Sequence, residues 1–172
     1  GMSRFNQSLD NLPKYLEILE VDGDFNQPLD NLPGSLIKLV FRDWSNFSKP
    51  MDNLPKSLEY LYLSTRYNIR LDNLPNKLKF IFFGSQYNQP IDFLPGSIVN
   101  LQINGSFNQE INNLPEGIKR LSFGSYTIFD KEINVYPQTL RKLIFGIFYR
   151  EKLINLPKYL DYLESVSYTH LR

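Results

Sequence analysis

The chain has 172 residues, 42% of them hydrophobic and 22% charged, with 19 Lys plus Arg against 18 Asp plus Glu for a formal net charge of +1. That length suits one domain with a continuous core, and the balanced charge gives no electrostatic warrant for nucleic acid or an anionic membrane as partner. Cysteine is absent, which excludes disulfide frameworks, thiol catalysis and cysteine-ligated zinc.

Alanine is absent too, while Asn, Phe, Tyr and Ile are abundant, a usage that disfavours a helical bundle. No apolar run reaches the roughly 18 residues of a membrane span, and no signal-peptide pattern opens the chain. With no cysteine either, the expected compartment is the cytoplasm.

The predicted elements follow from a repeat. Prolines recur at Pro13, Pro33, Pro55, Pro75, Pro95, Pro115, Pro137 and Pro157, spaced 20 or 22 residues apart. Eight residues before each stands an aromatic: Phe5, Phe25, Phe47, Tyr67, Tyr87, Phe107, Phe129 and Tyr149. Four before is an aliphatic or Met, from Leu9 to Leu153, and directly before is Leu, or Tyr136 in the seventh unit. Leu or Ile follows three residues after the proline, and again six after, at Leu19, Leu39, Leu61, Ile81, Leu101, Leu121, Leu143 and Leu163.

The stretch beginning about four residues after each proline alternates apolar and variable, which predicts a short strand with one face buried. A turn rich in Gly, Ser and Asp follows, as at Asp22-Gly23-Asp24 and Asn104-Gly105-Ser106. The return leg, such as Phe25 to Pro33, is too proline-rich for an α-helix and is expected to be extended or at most a short 3₁₀ turn. A unit this small cannot bury its own apolar face, so neighbours must stack on it. The prediction is a mainly β fold with little or no α-helix: eight coils of 20 to 22 residues in a parallel-strand solenoid, residues 3–165, about 35–40 Å long.

The segments Phe25 to Pro33 (FNQPLDNLP) and Tyr87 to Pro95 (YNQPIDFLP), each followed by an LxxLxF-type strand, resemble FNIP repeats, a short leucine-rich-repeat variant. The resemblance runs from Phe5 to about Leu163. It implies a right-handed, curved, leucine-rich-repeat-like solenoid with its one parallel sheet on the concave face, used for protein–protein recognition. Some members carry the array behind an F-box, as substrate receptors of ubiquitin ligases; no F-box precedes Phe5, so that role is not carried over. The seventh unit, Phe129 to Pro137, departs furthest from the pattern and puts its own coil geometry in question.

Two ends look foreign. Gly1 before Met2 resembles a tag-cleavage scar. The tail Val166-Ser167-Tyr168-Thr169-His170-Leu171-Arg172 resembles a translated sequencing adapter of the kind that ends metagenomic reading frames. The expectation is a non-native tail over 166–172 and a parent protein that ran further, in which His170, the one histidine, has no role.

Ser-His-Asp and Cys-His constellations are therefore out, and no phosphate loop or dinucleotide fingerprint appears. No cofactor or metal is expected. Asp10, Asp30, Asp52, Asp72 and Asp92, then Asn112 and Asn134, share one position of the repeat. A cation column is one reading; the favoured one is that each caps its own turn through the backbone N–H two residues on, where Asp and Asn interchange. Asn6, Asn26, Asn68, Asn88 and Asn108 suggest a stacked amide ladder. Three matches to the glycosylation pattern, at Asn6, Asn46 and Asn104, read as chance in so Asn-rich a chain.

The informative surface is the solvent row of the strands. Tyr60, Tyr62, Phe80 and Phe82 are expected to form a block of exposed aromatics, flanked by Lys38, Val40 and Arg42 on one side and by Asn100, Gln102, Arg120 and Lys142 on the other. The bland alternative is β-propensity, since Tyr and Phe suit strands anyway. Two-residue insertions near Asp43-Trp44-Ser45 and Tyr126-Thr127-Ile128 map to loops, and Trp44, the one tryptophan, is either a contact residue or packing.

The reading is a non-enzymatic recognition module, a fragment of a longer array gripping another protein with its concave sheet. Glycan binding by the same aromatics with Asn100 and Gln102 is one alternative; the substrate-receptor part of a ubiquitin-ligase-type adaptor, which the resemblance implies for members with an F-box, is the other. A solenoid enzyme would need clustered acids, and this row offers only Glu20 and Glu164, at opposite ends. Neither end shows a recognisable cap, so end-to-end association through open sheet edges is expected.

Overall fold

The computed structural model describes residues 4–165. The readings of Gly1 and of the tail 166–172 lie outside the described residues. Eight strands follow one another: β1 (Ile18–Val21), β2 (Lys38–Phe41), β3 (Tyr60–Tyr62), β4 (Phe80–Phe82), β5 (Asn100–Ile103), β6 (Arg120–Phe123), β7 (Lys142–Phe145) and β8 (Tyr162–Ser165). They make one parallel sheet in sequence order. No helix occurs among the described residues, and none is long and apolar enough to cross a membrane.

The register is the repeat itself. Leu19 pairs with Leu39, Leu39 with Leu61, Leu61 with Ile81, and so on to Leu143 with Leu163. Because side chains alternate along a strand, that register sends one column inward and the next outward. Leu39, Leu61, Ile81, Leu101, Leu121 and Leu143 are buried, whereas the end-coil residues Leu19 and Leu163 are partly buried and exposed respectively. The column has a covered middle and bare ends, as a stack of rungs must.

Opposite the sheet, the aromatic column is a ring ladder. Phe5, Phe25, Phe47 and Tyr67 stack at 6.1, 6.1 and 6.0 Å between centroids, and Phe107, Phe129 and Tyr149 at 6.2 and 5.8 Å. The seventh unit keeps the same interior places, with Phe129, Ile133 and Tyr136 buried, so its sequence departures do not alter its packing. Tyr136 fills the space that leucine fills in the other coils.

The recurring proline begins a tight turn. Its carbonyl accepts the N–H of the residue three on in every coil, from Leu16 to Pro13 at 3.0 Å through Leu160 to Pro157 at 3.2 Å. Proline lacks only the donor, and the turn uses its carbonyl as acceptor, so the bond is spared. The return legs are extended, and side chains satisfy their backbones from coil to coil. Each asparagine oxygen of the amide ladder accepts a backbone N–H from the next coil: Asn6 from Asn26 (2.9 Å), Asn26 from Ser48 (2.9 Å), Asn68 from Asn88 (2.8 Å) and Asn88 from Asn108 (2.9 Å). Hydroxyls of Ser57, Ser97 and Thr139 likewise donate to carbonyls of the coil before, Leu36, Leu78 and Ile118.

The aspartate row departs from expectation. Instead of capping their own turns, three of the five carboxylates accept amide protons from the asparagine of the following coil, Asp10 from Asn31 (2.7 Å), Asp30 from Asn53 (2.8 Å) and Asp92 from Asn113 (3.4 Å), whereas Asp72 pairs with Arg70. The cause is proximity: a neighbouring coil lies one interstrand spacing away, within reach of a short side chain. Gly105 shows how close the coils approach. Its φ of +59° suits glycine, and an added Cβ would stand 2.1 Å from the Ser85 carbonyl oxygen.

Candidate functional site

The outward columns of β1 to β7 place the variable residues side by side on the sheet. Tyr60 is in register with Lys38 and Phe80, and Tyr62 with Val40 and Phe82. The rings touch one another: Tyr62 and Phe80 lie 4.8 Å apart between centroids, Tyr62 and Phe82 6.1 Å, Tyr60 and Phe80 6.4 Å. That mutual cover leaves Tyr62, Phe80 and Phe82 half-buried, and only Tyr60 is exposed. The block is thus more self-packed than four free aromatics would be. The Lys38 ammonium sits 5.3 Å from the Tyr62 ring centroid, a cation–π contact within the face.

At the turn side of β1 to β4 the face opens into a cleft of about 460 Å³, lined by Glu20, Asp22, Val40, Phe41, Arg42, Asp43, Trp44, Tyr62, Leu63 and Phe82. Trp44 stands at the apex of the first longer turn, 61% exposed, as one wall. The inserted residues put it there: the Ser45 N–H bonds the Arg42 carbonyl (2.9 Å), and the Asn46 N–H bonds the Gly23 carbonyl of the coil before (2.8 Å). Arg42 and Glu20 pair at 2.5 Å across the β1–β2 boundary. A second, smaller hollow of about 100 Å³ is lined by Phe80, Asn100, Leu101, Gln102, Arg120 and Ser122.

Of the residues singled out by sequence, Val40, Arg42, Trp44, Tyr62 and Phe82 meet at the cleft, and Phe80, Asn100, Gln102 and Arg120 at the hollow. Lys142 stands apart, over the Tyr162 ring at 4.0 Å. Glu20, Asp22 and Asp43 also line the cleft, beyond the residues that the sequence pattern singles out. The available signal was their place at and just past the end of the strand, seven to ten residues after the proline. Trp44 is a wall of the cleft rather than packing across its turn.

Three tyrosines of the ring ladder, together with Tyr136 in the leucine place of the seventh unit, form a separate polar feature. The hydroxyls of Tyr67, Tyr87, Tyr136 and Tyr149 are buried without a well-formed hydrogen bond. Burial foremost pushes the Tyr67 and Tyr87 phenols well above their ordinary range, with the Asp52 carboxylate adding to it at Tyr67 and the neighbouring Tyr67 at Tyr87. They stay protonated, and nothing about them suggests acid–base work on a substrate. Among the described residues, no three acidic or histidine side chains cluster to hold a metal.

The family model of the FNIP repeat matches residues 5–43, 47–86, 87–126 and 110–148. The chain belongs to the FNIP repeat family. The FNIP solenoid is also similar to the crystal structure of CroV588, a novel circular LRR protein, with a TM-score of 0.84 and 36% identity over 94% of this chain. It spans about a quarter of that longer chain, 26% of its length. No curated protein matches the sequence. FNIP and leucine-rich repeat solenoids are generally non-enzymatic.

Proposed function

We propose that this FNIP solenoid is a non-enzymatic recognition module, one arc of a longer repeat protein, that captures another protein with the solvent face of its sheet. The observation that carries this reading is the aromatic cleft of about 460 Å³ between Trp44 and the β3–β4 rings. A groove that is half apolar and rimmed by charge is the usual anatomy of a protein contact. The 26% coverage of a circular relative supports the arc.

The test presents the folded chain to a random peptide display library and to a glycan array in parallel. The expected result is a set of enriched peptides whose binding falls at least about tenfold in the Tyr62→Ser/Phe82→Ser variant. Enrichment that ignores the variant refutes the site. Glycan hits alone favour the second reading, for which the observation is the Phe80 hollow with its Asn100 and Gln102 amides.

The outer strands of the sheet also invite pairing. Within the described residues β1 pairs only with β2 and β8 only with β7, so each presents an open backbone edge. We propose that a further coil, or a second copy of the chain, adds there. Light scattering across a concentration series is expected to show self-association, and a monomer at every concentration contradicts the second-copy form.

A further inference from the structure

Resting on that protein-binding reading, we propose that the Trp44 cleft is a subsite for a basic side chain, an arginine in preference to lysine, on an extended segment of the partner protein. The charge of the cleft points to it. Its ionisable lining is Glu20, Asp22 and Asp43 against the single cation Arg42. Arg42 is already neutralised by Glu20 at 2.5 Å. The Asp22 carboxylate accepts only the adjacent Gly23 N–H, at 2.7 Å, and neither Asp22 nor Asp43 has an ion-pair partner among the described residues. The occupant that complements this cleft is a cation.

The walls choose among cations. Trp44 makes no ring or cation contact among the described residues and offers a largely exposed indole. Tyr62 and Phe82 add two more rings to the lining, and the Lys38 ammonium, which contacts the Tyr62 ring, lies outside it. A planar guanidinium stacks on indole while its N–H fork meets a carboxylate, which an ammonium does less well. The partner segment then lies across β2 to β4 with one arginine turned down between Trp44 and the two aspartates.

Trp44 is the only tryptophan in the chain, so its fluorescence reports on the cleft directly. The probes are two short peptides, acetyl-Gly-Arg-Gly-amide and the same peptide with neutral citrulline. The arginine peptide is expected to change Trp44 emission saturably, the citrulline peptide at least about fivefold more weakly, and raised salt to weaken the arginine response. Asp22→Asn/Asp43→Asn, which keeps the indole and the other rings, is expected to bind arginine roughly tenfold more weakly. Equal response to both peptides, or an unaffected double asparagine variant, overturns the inference.

The display experiment separates this from the broader reading. Enriched peptides that lack basic residues, and that bind the asparagine variant normally, end the arginine subsite while leaving the protein-binding face intact. A saturable arginine response with no enriched peptide does the reverse.

Discussion

The two longer turns, 41–47 and 123–129, lie 82 residues apart (Trp44 to Tyr126) and have the same backbone. Thr127 bonds the Gly124 carbonyl at 2.9 Å as Ser45 bonds that of Arg42, and Ile128 bonds Gly105 at 2.8 Å as Asn46 bonds Gly23. Both bury a hydroxyl residue beside an exposed apical aromatic, Ser45 beside Trp44 and Thr127 beside Tyr126. Both then deliver a ladder ring onto a strand phenyl, Phe47 on Phe41 at 4.4 Å and Phe129 on Phe123 at 4.5 Å. Their surroundings differ. The Trp44 turn faces Arg42, Tyr62 and Phe82 and closes a cleft, whereas around Tyr126 the matching positions are Gly124, Ile144 and Glu164. The hollow beside that turn, about 320 Å³, uses Ile128, Asp130, Phe148, Arg150 and Glu151 and leaves Tyr126 out. A coil fixes how an insertion is shaped, and the outward columns next to it decide what surface the insertion borders.

The largest effects should be equal in the two turns. Phe47→Ala and Phe129→Ala each remove a buried ring held between two neighbours and are expected to destabilise by about 3–5 kcal/mol, read from urea unfolding. Midpoints that differ widely would mean the two turns are less alike than their hydrogen bonds. The next effect should be unequal. Trp44→Ser is expected to weaken capture of display-selected peptides by about tenfold or more, while Tyr126→Ser leaves it unchanged, and both variants keep stability within about 0.5 kcal/mol. Equal losses would place the contact along the whole turn edge rather than at the cleft.

A smaller effect sharpens the comparison inside the turns. The Thr127 hydroxyl donates to the Ile103 carbonyl at 3.3 Å, whereas the Ser45 oxygen accepts the Phe47 N–H at 3.3 Å. Thr127→Val and Ser45→Ala are each expected to cost about 1 kcal/mol, measurable by thermal unfolding.

The smallest effect at neutral pH lies one coil beyond the first turn, where the ladder changes from Phe47 to Tyr67. Tyr67→Phe and Tyr87→Phe remove hydroxyls that have no partner, so stability should hold or rise by up to about 1 kcal/mol. In alkali the same change matters more. The folded phenols ionise above their ordinary value of 10.0. Below pH 10.0 their contribution is fully present; above it the unfolded chain releases protons that the fold retains, and stability falls as pH rises. The Tyr67→Phe/Tyr87→Phe variant is expected to keep its circular dichroism to higher pH than the parent, and coincident alkaline transitions would refute this.

Much of the architecture is legible in the letters because a solenoid converts sequence spacing into vertical alignment. Leu39, Leu61 and Ile81 need no tertiary information to be placed in one column, since each coil repeats the environment of the last. The asparagine ladder is readable for the same reason. The bonds of Asp10, Asp30 and Asp92 to the next coil are not readable in the same way, because a single coil shows a turn two residues away but hides the asparagine one coil on. The self-packing of Tyr62, Phe80 and Phe82 was also hidden, because ring orientation depends on both flanking strands.

By itself, then, the order of residues determined the number of rungs, which face of each strand is dry, and where two turns are longer. Those depend on a period and on apolar burial, both local to the repeat. Only the tertiary structure decided that Asp22, from one turn, and Asp43 and Trp44, from the next, share a cleft with Tyr62 and Phe82. That meeting depends on the outward columns, where no packing constraint repeats and each coil differs from its neighbours.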